Sequence, residues 1–93
     1  MTKFLAIHPF PEPAPMEAAT PIGQAVKAHC NSDAYWVKSW AILNEEGHIE
    51  KILCQWDAKD IDSIKSIIDK IPNLPTEGIY PLGIFQAEDF RQK

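Results

Sequence analysis

Ala34-Tyr35-Trp36-Val37-Lys38-Ser39-Trp40-Ala41-Ile42-Leu43, then Asn44-Glu45-Glu46-Gly47, then the stretch from Ile49 to Asp57, decides the fold. The first ten residues are rich in aromatic and β-branched side chains and contain neither Gly nor Pro, which reads as a strand. Asn44 to Gly47 supplies turn chemistry, and Ile49 to Asp57 reads as a second strand running back. The two make a β-hairpin.

Working outward, Phe4 to Ile7 suits a first strand extendable to Phe10. Prolines at 9, 11, 13 and 15 then predict a stiff extended connector, because each removes a backbone donor and disfavours helix at its predecessor. Thr20 and Pro21 read as N-cap and first residue of a helix, after a turn over Met16 to Ala19. Ile22, Ala25, Val26 and His29 keep helical spacing until Asn31. Beyond the hairpin, Asp57 reads as an N-cap with Asp60 three residues on. Ile61, Ile64, Ile67, Ile68 and Ile71 line the helix that follows, and Pro72 ends it. Residues 73–78 read as a loop, and Ile79 to Phe85 as a last strand, placed at an edge by Pro81.

The order strand, helix, strand, strand, helix, strand predicts an α+β fold of the ferredoxin-like βαββαβ kind. One domain, 1–93, would form a four-stranded antiparallel sheet with both helices on one face. Simple alternation puts Trp36, Lys38, Trp40 and Ile42 on one face of the second strand, and Tyr35, Val37, Ser39, Ala41 and Leu43 on the other. Ile52, Cys54 and Trp56 share a face of the third. Neither face is polar, and exposed apolar area costs about 25 cal/mol per Å². A homodimer joined sheet to sheet is therefore expected.

Composition narrows the functional classes. Ninety-three residues, 45% hydrophobic and 24% charged, allow one core. The net charge of −4, with basic residues scattered singly, argues against a nucleic-acid partner. Apolar runs of a few residues argue against a membrane span. The N-terminal apolar stretch is too short for a signal sequence, so a cytoplasmic location is expected, with Cys30 and Cys54 as thiols.

The matches Trp36, Val37, Lys38, Ser39 and Trp40, then Cys54, Trp56, Asp57 and Ala58, resemble the small domains of unknown function catalogued as DUF4242. That family includes nickel-binding proteins, and its first strand often carries a histidine, near which His8 stands. The resemblance spans the second strand through the second helix. It implies a ferredoxin-like fold, pairing as a dimeric α/β barrel, and a transition-metal site, nickel included.

Two chemistries compete for the candidate residues. His8 and Cys54 offer imidazole and thiolate, which suit nickel, copper or zinc. Two ligands do not make a site, but a dimer joined through the face away from the helices could bring four together. Alternatively, Trp36, Lys38, Trp40 and Trp56, with His8, could wall a pocket for a small organic molecule, in a cofactor-free enzyme or binding protein with Lys38 as base or anion clamp. The plainer readings are a buried Cys54 and aromatic dimer core with Lys38 reaching to its rim. A purely structural or regulatory interaction module, with neither metal nor pocket, is the third. His29 and Cys30, at a helix end, and His48, in the hairpin turn, read as structural.

Overall fold

A computed structural model describes residues 1–91. It is an α+β fold: β1 (Thr2–Ala14), a 3-10 turn (Met16–Ala18), α1 (Ala19–His29), β2 (Ala34–Leu43), β3 (Ile49–Ala58), α2 (Ile61–Ile68), β4 (Gly78–Pro81) and a second 3-10 turn (Ala87–Phe90). The four strands form one antiparallel sheet in the order β2-β3-β1-β4. That order, with a helix in each crossover, is compatible with the ferredoxin-like arrangement. Both helices lie on the face carrying Phe4, Ala6, Ala34, Trp56 and Ala58. There Val26 of α1 and Ile64, Ile67 and Ile68 of α2 complete the core.

Local physics explains where the elements depart from expectation. β1 does not give way to a connector at its prolines but runs on to Ala14, with the ladder to β3 broken between Pro9 and Ala14. Lys3 and Ile7 accept bonds from the β4 side, from Leu82 N and Glu77 N. Backbone groups alternate sides along a strand, so the donor that Pro9 lacks would have pointed past the end of β4, and no ladder bond is lost.

Helix α1 starts earlier than Thr20: Ala18 is its N-cap, without a side-chain bond, because the 3-10 turn feeds directly into it. Thr20 and Pro21 fall in the first turn, where a missing N–H is harmless. Asp60, not Asp57, caps α2. Its Oδ1 accepts from Ser63 N at 2.8 Å and from the Ser63 hydroxyl at 2.7 Å. Asp57 remains inside β3, where it faces Lys3 at 3.2 Å across the ladder. β4 stops at Pro81, and residues 82–90 leave the sheet edge instead of extending it.

The most consequential departure is a β-bulge in β2. Trp36 pairs with Trp56, yet Lys38 pairs with Gln55, so Val37 is an extra residue. From that point the alternation is inverted. Trp36 and Ser39 share the helix-covered face, whereas Lys38 and Trp40 share the opposite one. The tryptophans expected side by side are therefore on different sides of the sheet.

Candidate functional site

Between the sheet and α1 lies a cavity of about 80 Å³, walled by His8, Trp36, Ser39, Ile52, Cys54 and Trp56 from the strands and by Ile22, Gly23 and Val26 from α1. Ile68 and Leu74 close it from the α2 side. The register places these groups together. His8 pairs with Ile52 and Ala6 with Cys54, which makes His8 and Cys54 diagonal neighbours on one face. Ser39 is directly opposite Cys54. Ser39 is exposed and marks the mouth, at the edge strand. Gly23 lets α1 approach, since a Cβ there would meet the Trp36 ring at 3.3 Å.

His8 is 1% exposed. Its Nδ1 lies 3.1 Å from both the Pro75 carbonyl oxygen and the Thr76 hydroxyl. A carbonyl only accepts, so Nδ1 carries the proton, and in the neutral ring of this cavity-lining residue Nε2 is left as a lone-pair acceptor. Burial pulls the His8 pKa below its ordinary 6.5, against the smaller upward effect of the Pro75 carbonyl, which keeps the ring neutral at pH 7.

A second polar chain runs across the mouth. Trp36 Nε1 donates to Ser39 Oγ at 2.8 Å, and the Ser39 hydroxyl donates to Cys54 Sγ at 3.1 Å. Burial pushes the Cys54 pKa up and the Ser39 bond offsets only part of it, so Cys54 is a thiol rather than a thiolate. Trp56 is 1% exposed, and its Nε1 is a buried donor with no acceptor among the described residues. An unmet buried donor costs about 1–3 kcal/mol.

The structure divides the expected site residues into two sets. His8, Cys54, Trp36 and Trp56 meet in the cavity. Lys38 and Trp40 sit together on the opposite face, with the Lys38 ammonium 5.1 Å from the centre of the Trp40 ring. His8 and Cys54 were expected on the face away from the helices. They lie beneath α1 instead, so a sheet-to-sheet dimer would not bring a second such pair to them. Among the described residues no three His, Cys, Asp or Glu side chains cluster as metal ligands. Ser39, named among the residues of the family resemblance, and Thr76 and the Pro75 carbonyl were not expected as site residues. Their roles depend on the bulge and on the fold of the loop after α2, where Asn73 takes a positive φ of 60°. Gly23 did carry a signal, as a glycine inside a helical pattern, where close approach of a neighbour is the usual cause. Cys30 is structural: its Sγ accepts from Trp36 N at 3.5 Å beside the end of α1. Set against known proteins, the chain matches no family model, no curated protein and no solved structure.

Proposed function

We propose that this protein binds a small organic molecule in the cavity under α1, and that it does so as a homodimer of the dimeric α/β barrel type, closed sheet to sheet. The observation that carries the binding reading is the make-up of the cavity: walls that are almost wholly apolar, with the His8 and Trp56 rings among them, and a Trp56 Nε1 that is buried without an acceptor among the described residues. Mostly apolar pockets with a few placed polar groups are the usual form of small-molecule sites. Its volume is about half that of an engineered cavity that takes up benzene whole. The ligand therefore inserts a short apolar part, with a hydroxyl or similar donor meeting His8, and leaves the rest in the mouth by Ser39. Phenol and toluene are suitable probes. Phenol should shift the backbone NMR signals of His8, Cys54 and Trp56 and bind about tenfold tighter than toluene, the worth of one buried hydrogen bond. Equal binding of the two, or no shift at millimolar phenol, would discard this reading.

The second reading, transition-metal binding at His8 and Cys54 with nickel as the first candidate, is favoured by one observation. An Nδ1 bonded to a backbone carbonyl is how metal-bound histidines are commonly oriented. Two protein donors would leave most of the coordination shell to added ligands. Elemental analysis of untagged protein after loading with nickel, copper and zinc decides it: stoichiometric metal lost in Cys54→Ala supports the site, and none in the wild type removes it. The dimer is supported by surface area. A compact monomer of this mass exposes about 5,400 Å², whereas this chain exposes 6369 Å². The excess is close to the roughly 800 Å² that each partner buries in an ordinary interface.

A further inference from the structure

The sheet face without helices is not simply bare. Residues 82–86 leave the edge beside β1, where Leu82 N donates to Lys3 O at 2.9 Å, and pass along that face. They arch over it without closing on it. A groove of about 500 Å³ remains between Ile84 and Phe85 on the arm and Leu5, Val37, Trp40 and Leu53 on the sheet. Further out, Phe85 and Phe90 pack on each other, ring centres 5.8 Å apart, across the 3-10 turn. Yet they are 82% and 67% exposed, and no residue of that turn is buried. An ordered aromatic pair held away from its own core is out of place in a finished surface.

We infer that the occupant of this groove is a second copy of the chain, and that the C-terminal arm, residues 82–90, is the clasp: each protomer's Phe85–Phe90 pair closes over the groove of the other. This rests on the sheet-to-sheet dimer proposed above and names the segment that holds it. Charge points the same way. Lys38 lines the groove, and Lys51 shares its sheet face with the Lys3–Asp57 pair, while the arm carries Asp89 and a Glu88 that Arg91 meets at 3.3 Å. A surface with an apolar, basic groove and an apolar, acidic arm is complementary to itself, which is the requirement of a two-fold interface. The missing cover is also consistent with shape. The radius of gyration is 14.5 Å, against about 12 Å for a compact chain of this length.

Light scattering on the full chain, at concentrations from about 1 to 200 µM, tests both levels. The wild type should have twice the 10.5 kDa chain mass. The double variant Phe85→Glu/Phe90→Glu changes only exposed side chains. It should keep its circular dichroism while its dimer dissociates at least about 100-fold more readily, as expected for losing two aromatic anchors. Trp40→Glu, on the sheet side of the groove, should do the same. A double variant as dimeric as the wild type overturns the clasp and leaves the sheet dimer standing. A monomeric wild type overturns both, and its sedimentation with phosphatidylcholine vesicles would assign the groove to lipid instead.

Discussion

At the scale of single residues, His8 couples the loop after α2 to the cavity, and its burial has a pH signature. Its folded pKa lies below the ordinary 6.5, so between the two values the unfolded chain holds more protons than the folded one. The stability from keeping the ring neutral is complete above about pH 6.5 and falls as the pH drops below it, by at most about 1.4 kcal/mol per unit for one proton. Thermal unfolding followed from pH 7.5 to 5 should show this loss, and His8→Gln should flatten it. Cys54 differs in direction: with its thiol held protonated by burial, it should react with iodoacetamide at pH 8 well below the rate of an unfolded thiol, measured by mass spectrometry with and without denaturant. Gly23→Ala would gain helix propensity but press on the Trp36 ring 3.3 Å away, so phenol binding should weaken while the helix content holds or rises.

At the scale of elements, the bulge at Val37 determines which side chains enter the site. Because Trp36 already faces Trp56 and Lys38 already faces Gln55, deleting Val37 leaves the β2–β3 pairs in register. That deletion should give a folded protein with its near-UV circular dichroism retained. Deleting Ser39 instead would bring Lys38 opposite Cys54, beneath α1, and should prevent folding, since a buried unpaired charge is among the costliest insertions. The capping assignment can be checked in the same way: Asp60→Ala should lower the melting temperature more than Asp57→Ala does, because only Asp60 satisfies the first turn of α2. Ile64, fully buried at the centre of that helix's inner face, should cost about 2–5 kcal/mol as Ile64→Ala in urea unfolding. Strands, helices and the inner face of α2 were legible from the sequence because they rest on periodicity and turn chemistry. The face of each β2 side chain was not. One extra residue inverts every later position, and Val37, with no glycine near it, leaves no mark in the composition. His8, Cys54, Trp36 and Trp56 could thus be named from the sequence, but not the side of the sheet on which they meet, nor the separation of Lys38 and Trp40 from them.

At the scale of the whole molecule, two layers about 19 Å thick leave the second sheet face to a short arm and, on our reading, to another chain. Folding and association would then be linked, and the melting temperature should rise with protein concentration over the micromolar range, as differential scanning calorimetry can show. The prolines of β1 bear on which kind of association is open to such a molecule. β4 covers β1 only along Phe4 to Ile7, so the C-terminal half of that long strand has one flank without a strand neighbour among the described residues. An unguarded flank of that length invites strand addition without limit, the route to fibrils. Pro9, Pro11 and Pro13 remove three of the amides such growth would use, which leaves face-to-face pairing, as in the dimer we propose, as the association open to the sheet. Their replacement by threonine should leave the fold intact and give a protein that forms thioflavin-positive aggregates on standing where the wild type does not.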